Sequence, residues 1–309
     1  MLNIKEKECV NSVNITGILS ELTVEVKDTK DKKQKLVTCE AKIKVDQDVN
    51  GKIVENEIPV QYISKQYKKG TEDTTKTPNQ IFEKICKFSE QFRSLASLPD
   101  ERKDEASRVT VSNGKLQETV FLDEQTKKEK TGFRVTSNFL NAAKQTDAAE
   151  AKFELSGVVM GKAREVDGNN EETGRLKVKL AVVGYQGRVD TYTLIAESPS
   201  CVDHIDINWQ EGDTVNVYGA INFKQSTKTW QEDLGFGEPI TRTKTETRKE
   251  LIILGGSPNG LEEACAYDNG DIKAGLADRR KRIEEQAEKR NAPAATAPTS
   301  SFGDFNGGF

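Results

Sequence analysis

Two segments, one in each half of the chain, alternate strictly between apolar and polar residues. In Lys35–Val45 the apolar set is Val37, Cys39, Ala41, Ile43 and Val45; in Arg175–Val182 it is Leu176, Val178, Leu180 and Val182. A period of two fits only a strand with one face on a core and the other toward solvent or a ligand. Neither segment can therefore be helical, and most of residues 1–260 follows suit. Strand patterns also run over Val13–Val26, Glu57–Ile63, Arg108–Val111, Leu116–Leu122 and Gly132–Thr136. In the second half they run over Lys152–Met160, Asp190–Ala196, Gly212–Phe223 and Lys249–Leu254. One helix is predicted at about 78–97. Thr77 is placed at its N-cap, Pro78 at the first turn and Gln80 at N3, with Ile81, Ile85, Phe88, Phe92 and Leu95 as its apolar stripe.

The strand plan repeats. Ile15-Thr16-Gly17-Ile18-Leu19 matches Leu155-Ser156-Gly157-Val158-Val159, a charged hairpin tip follows each, and strict alternation follows that. Each half reads as strands 1-2-3, then a helix or connector (Ser198–Trp209 in the second half), then strands 4-5. That is the OB-fold order, a small, partly open barrel. The expected fold class is mainly β: two tandem OB-fold-like five-stranded barrels, the first with an inserted helix, plus a C-terminal helix and a disordered tail. The expected domains are 1–150 and 151–260, followed by a helical extension at 261–290, rich in Ala, Glu, Lys and Arg with little to bury. Residues 291–309, Pro-, Ala-, Ser- and Gly-rich, form the disordered tail, yet they hold Phe302, Phe305 and Phe309 beside Asp304.

Some of these residues carry a closer resemblance. Glu211-Gly212-Asp213-Thr214-Val215-Asn216-Val217-Tyr218-Gly219-Ala220-Ile221 resembles the fourth strand of bacterial-type single-stranded DNA-binding proteins. Lys249–Leu254 resembles their closing strand, and Leu155–Val159 their opening one. The family's tail is flexible and ends in acidic residues and a terminal Phe that binds partner proteins. Here Phe302, Asp304, Phe305 and Phe309 stand in that place, with one Asp instead of an acidic cluster. Two linked units look more like a phage or other mobile-element version than a cellular homotetramer. The resemblance implies binding of single strands on strands 2 and 3 and on the loops between strands 1–2 and 4–5.

The residues supply a matching chemistry. Arg175, Lys177 and Lys179 share one face of their strand, and Lys42 and Lys44 the corresponding face of the first unit. At about 7 Å pitch such rows can follow the phosphates of an extended strand, although alternating cations also suit a merely solvated face. Stacking candidates are Tyr62, Tyr67 and Phe133 (beside Arg134) in the first unit, and Tyr185, Tyr192 and Trp230 in the second. Trp230 lies in what reads as a long polar loop with Lys228, Arg242 and Lys244; Arg188 neighbours Tyr185. Trp209 is expected in the core, and Phe82, Phe88 and Phe92 in packing.

Composition narrows the class further. There is one His, and the five Cys are scattered with no C-x-x-C, so neither a zinc site nor a disulfide framework is expected and a reducing compartment is. No P-loop, G-x-S-x-G or H-E-x-x-H motif is present, so no enzyme and no cofactor are expected. No apolar run approaches the roughly 18 residues of a membrane span. The expected location is the cytoplasm, that of the host if a phage encodes the chain. Net charge is −4: residues 1–150 hold 26 Lys+Arg against 25 Asp+Glu, 151–260 hold 13 against 16, and 261–309 hold 7 against 9. That balance disfavours a broad duplex-binding surface and leaves room for a confined, stacking-dependent groove. The expected activity is sequence-independent binding and protection of single-stranded DNA, RNA being possible, in replication or recombination, with partner proteins recruited by the tail. The alternative is an OB-fold adaptor or scaffold that binds other proteins, such as a polymerase-associated or virion component.

Overall fold

The computed structural model describes residues 1–29, 33–49, 52–68, 77–122, 129–232 and 240–291. The order of elements is β1 (Asn11–Asp28), β2 (Lys35–Val49), β3 (Lys52–Lys65), α1 (Gln80–Cys86), α2 (Phe88–Gln91), β4 (Arg108–Leu122), β5 (Glu129–Thr136) and β6 (Asn141–Ala142). Then come β7 (Glu150–Val166), β8 (Glu172–Val183), β9 (Val189–Ala196), α3 (Pro199–Asn208), β10 (Thr214–Glu232), β11 (Ile240–Gly256) and α4 (Asn269–Asn291). The chain is mainly β, as the alternation requires. Val37, Cys39, Ala41, Ile43 and Val45 are all buried, as are Leu176, Val178, Leu180 and Val182.

Strand pairing runs in two circuits. In the first, β1 pairs β2, β2 pairs β3, β3 meets β5 in parallel, β5 pairs β4, and β4 returns to β1. In the second, β7, β8, β9, β11 and β10 close in the same way, again with one parallel contact, between β9 and β11. The opening strand of each circuit pairs on both sides and carries a bulge, between Leu19 and Glu21 in β1 and between Val159 and Gly161 in β7. Bulges bend a strand and increase its local twist. The matching glycines have a steric reason. A Cβ on Gly157 would lie 2.7 Å from the Ala181 carbonyl oxygen, and one on Gly17 would collide with the Lys44 carbonyl. No larger residue can let the two strands cross so closely.

The circuits are not beads on a linker. β1 pairs directly with β7, from Asn11 opposite Leu155 to Thr16 opposite Glu150, which makes one continuous sheet. The β4–β5 hairpin of the first circuit lies against the second. Tyr192 donates its hydroxyl to the Leu116 carbonyl (3.0 Å), and the Phe133 and Phe223 rings meet edge-on at 5.4 Å. Glu118 on β4 is buried and accepts from both the backbone N–H (3.2 Å) and the hydroxyl (2.7 Å) of Thr191 on β9. The third partner of Glu118 is Arg279 of α4, itself buried, at 2.6 Å; Arg279 also reaches Glu129 of β5 at 2.9 Å.

Three expectations change here. The helix at 78–97 starts later and is broken. Asn79, not Thr77, caps it by accepting from the Ile81 N–H, while Pro78 bridges to Tyr67, and Leu95–Ser97 is a separate 3-10 turn. The connector at Ser198–Trp209 is the helix α3, with Ser198 accepting from the Cys201 N–H and Pro199 in the first turn. The extension at 261–290 has only a 3-10 turn at Glu263–Cys265 before Asp268 and is α-helical from Asn269. It is anchored, with Ile272, Arg279 and Ile283 buried. The tail, with Phe302, Asp304, Phe305 and Phe309, lies outside the described residues.

Removing one member of a buried pair strands the other charge without water, at a cost of about 3–5 kcal/mol. Arg279→Met is therefore expected to lower the urea-unfolding free energy by that amount, against under about 1 kcal/mol for Arg280→Met in the exposed pair with Glu284. Equal losses would contradict this account of α4.

Candidate nucleic-acid interface

The outward parity of β2 presents Lys42 and Lys44, but not as a free cation row. Lys42 pairs with Glu21 at 2.7 Å, and that bond, against partial burial and with Glu57 and Glu40 nearby, raises its pKa. Exposed Lys44 stands opposite Glu57. A groove of about 390 Å³ on this side is lined by Glu25, Glu40, Gln61 and the exposed Ile63, a mixed and partly acidic surface.

Three predicted stacking residues point the other way. Tyr62 shares parity with Ile58 and Val60, is fully buried and packs edge-on against Phe88. Phe133 lies with Val135 in the core, and Tyr192 with Leu194. Burial pushes both tyrosine pKa values up. Strand period decides this, since a residue two from a core residue is itself a core residue. Tyr67 is half-buried, and Arg134 is held between Gln117 (2.9 Å) and Gln61 (3.1 Å).

On β8, Arg175, Lys177 and Lys179 do share the outer face. Arg175, however, is largely buried and bonded to Glu165 (3.0 Å) and Glu250 (2.7 Å). Glu165 also pairs with Lys177 (3.4 Å) and Arg248 (3.4 Å). Burial alone would raise the Glu165 pKa, but Arg175, the Thr173 hydroxyl and Lys177 outweigh it and hold the carboxyl below its usual range. Arg175 is thus the centre of a structural ion cluster. Among the described residues, exposed Lys179 has no ion-pair partner. Tyr185 is 73% exposed on the turn after β8, and Arg188 pairs with Asp190 at 2.9 Å.

Phe223–Glu232 and Ile240–Thr247 are strand. β10 and β11 continue beyond their circuit as a two-stranded ribbon, paired as far as Glu232 opposite Ile240. The register sorts its residues sharply. Lys224 stands opposite Arg248, Lys228 opposite Lys244 and Trp230 opposite Arg242, all at positions of one parity, with Ser226 opposite Glu246 between them. At the other parity Gln225, Thr227, Thr229 and Gln231 face Thr247, Thr245, Thr243 and Thr241. Opposed residues share a face, so one parity of the ribbon takes five cations and the Trp together with Glu232, Glu246, Ser226 and Ile240, and the other, beyond the Phe223–Lys249 pair, only Thr and Gln. Over 223–232 and 240–249 there are six basic residues against two acidic, in a chain of net charge −4; the connection between them carries Asp233 and Glu238. At the base, the Lys249 ammonium lies 5.1 Å from the Phe223 ring centroid. Lys224 escapes a sequence reading that takes this stretch as a loop. The alternation of Lys224, Lys228 and Trp230 at even positions is the signal that identifies it. Trp209 is buried as expected and donates its indole N–H to the Ser257 carbonyl at 2.9 Å.

Residues 10–289 match the protein family described as YorF. No curated protein sequence matches the chain. Among solved structures, the wild-type single-stranded DNA binding protein from Thermus aquaticus is similar, with a TM-score of 0.50 and 12% identity over 85% of this chain and 98% of that one. A deletion and substitution variant of the same protein gives 0.50 and 12% over 83% and 97%. At that identity the likeness is one of fold.

The ion cluster makes a pH prediction. A carboxyl held below its unfolded value of about 4.3 contributes stability that is complete above that pH and fades as pH falls through the lower folded value. Stability measured from pH 6 downward is expected to fall more steeply in the wild type than in Glu165→Gln; parallel curves would contradict the role of Glu165.

Proposed function

The chain belongs to the YorF family, and from that premise we propose that it binds single-stranded DNA without sequence specificity, gripping it mainly with the β10–β11 ribbon. The observation that carries this reading is the register of the ribbon, which gathers Trp230 and five cations, against two glutamates, at one parity and leaves Thr and Gln at the other beyond Lys249. Like charges directly opposite each other in a hairpin are destabilising. One such pair in register, Lys228 with Lys244, and Lys224 opposite Arg248, whose own partners are Glu165 and Glu250, favour a surface completed by a polyanion. Phosphates neutralise the pairs and release counterions, while a base stacks on Trp230. The similarity of fold to a protein titled as a single-stranded DNA binder supports the same reading.

Lys179, Lys177 and Arg248 extend the surface from the ribbon onto the outer face of β8. Arg175 orients that surface by holding Glu165 and Glu250, and it does not meet the strand. The β2–β3 face of the first circuit, with Glu21, Glu40 and Glu57 about its lysines, contributes little. We further assign the protein a protective role on strands opened during replication or recombination in the cytoplasm, with phage origin as the preferred source, tail-mediated contacts to replication or recombination proteins, and no catalysis. An adaptor role finds one observation in its favour. Exposed Tyr218 and Leu254 flank a groove of about 310 Å³ beside α3, an apolar surface suited to a protein partner.

Because Trp209 is buried, fluorescence quenching by oligo(dT) reports on Trp230. Quenching is expected at low salt, with the logarithm of affinity falling against log salt at a slope of about −3 to −4 for five or six phosphate contacts. Trp230→Ala is expected to weaken binding by about 1–3 kcal/mol. Lys179→Ala is expected to flatten the slope by somewhat under one, and Arg175→Ala to leave it unchanged. No quenching at low salt, with oligo(rU) equally inert, would remove the reading.

A further inference from the structure

A cleft lies away from the ribbon, at the turn that joins β8 to β9. It has a volume of about 710 Å³ and is walled by both circuits, the N-terminal segment and α4. This is the size of a small-ligand site, yet the cleft is open along one side, so a chain can enter and leave it. Three cations reach it from three elements: Lys115 of β4, Arg188 of the β8–β9 turn and Arg282 of α4. Three acids stand in the same lining: Asp190 pairs with Arg188 at 2.9 Å, Asp278 with Lys281 at 3.9 Å, and Glu8 is exposed. Arg282 is half-buried and donates to the Val189 carbonyl at 3.2 Å; burial, and then the charge of Arg188, lower its pKa. Lys115 is exposed and, among the described residues, has no ion-pair partner.

The aromatic part is Tyr185, 73% exposed at the mouth. Its turn is held in an unusual conformation: Gln186 has a φ of +59° and Gly187 of +73°. A non-glycine residue in the left-handed region costs free energy and persists only where its surroundings enforce it.

An exposed ring with Lys115 and Arg282 in the same cleft suits a nucleotide unit within a continuing strand. We infer that this cleft is a second seat for the strand, with Tyr185 stacking a base and Lys115 and Arg282 meeting the adjoining phosphates. The inference rests on the single-strand-binding reading and adds to it a contact remote from the ribbon, built jointly by both circuits and α4. A strand long enough to occupy both seats is held across the junction, whereas a short one is held by the ribbon alone.

The test uses the full chain and the double variant Tyr185→Ala/Lys115→Gln, whose two side chains are exposed and outside the core. Each is titrated with oligo(dT) of about 10 and about 35 nucleotides, bracketing the lengths one and two OB-type sites occupy. For the long oligomer the variant is expected to lose about tenfold in affinity and to occlude fewer nucleotides, with the short oligomer unchanged. A 5-iodouracil-substituted long oligomer is expected to crosslink to Tyr185 in the wild type. Unchanged affinity and occluded length for the long oligomer would overturn the second seat while leaving the ribbon reading intact. A wild-type chain that binds neither oligomer would overturn both.

Discussion

A carboxylate buried between the two strand circuits sets the geometry of this protein. Glu118 sits on the first circuit, accepts two hydrogen bonds from Thr191 of the second, and is neutralised by Arg279 of the C-terminal helix. A buried ion pair is rarely the most stabilising choice, because desolvation offsets much of its attraction. What it does here is discriminate. Many sliding or rotated packings of two β-surfaces would bury similar apolar area, but only one delivers a charge, a hydroxyl and a backbone N–H to the same two oxygens. The β1–β7 pairing fixes the circuits edge to edge, and the Glu118 contact fixes their rotation. The helix that supplies Arg279 is therefore part of the scaffold.

That packing explains why two copies of one plan do different work. The β4–β5 hairpin of the first circuit is used up as a brace against β9 and α4. Its counterpart, β10–β11, runs on as a ribbon whose residues are sorted by charge. The outer faces differ in the same sense. In the first circuit, acidic neighbours attend Lys42 and Lys44; in the second, Arg175, Lys177 and Arg248 take up Glu165 and Glu250, and among the described residues Lys179 has no ion-pair partner. A near-neutral, mildly acidic chain can thus carry a local group of basic residues on one of its two circuits.

Much of this was legible in the sequence. Strict alternation identified β2 and β8 and their inward residues. The repeated first-strand glycine marked a real constraint, because Gly17 and Gly157 let strands cross where a Cβ cannot fit. Local rules failed where tertiary contacts decide. Tyr62, Phe133 and Tyr192 were read as exposed although their parity with Val60, Val135 and Leu194 already placed them inward. Arg175 looked like a ligand cation because the carboxylates that claim it, Glu165 and Glu250, lie on other strands. α3 was signalled by Ser198-Pro199 yet read as a connector for want of a long apolar stripe. The role of Arg279 could not be read, since one charge in a charged helix gives no hint that its partner is a buried glutamate 161 residues away.

The central claim is that the ribbon, and not the β2–β3 face of the first circuit, grips the strand. Hydrogen exchange read by mass spectrometry, with and without saturating oligo(dT), tests it most directly. The account predicts strong protection on binding across 223–232 and 240–249, weaker protection along the outer face of β8, and none in β2 and β3. Protection concentrated in β2 and β3, with the ribbon exchanging as in the free protein, would contradict it.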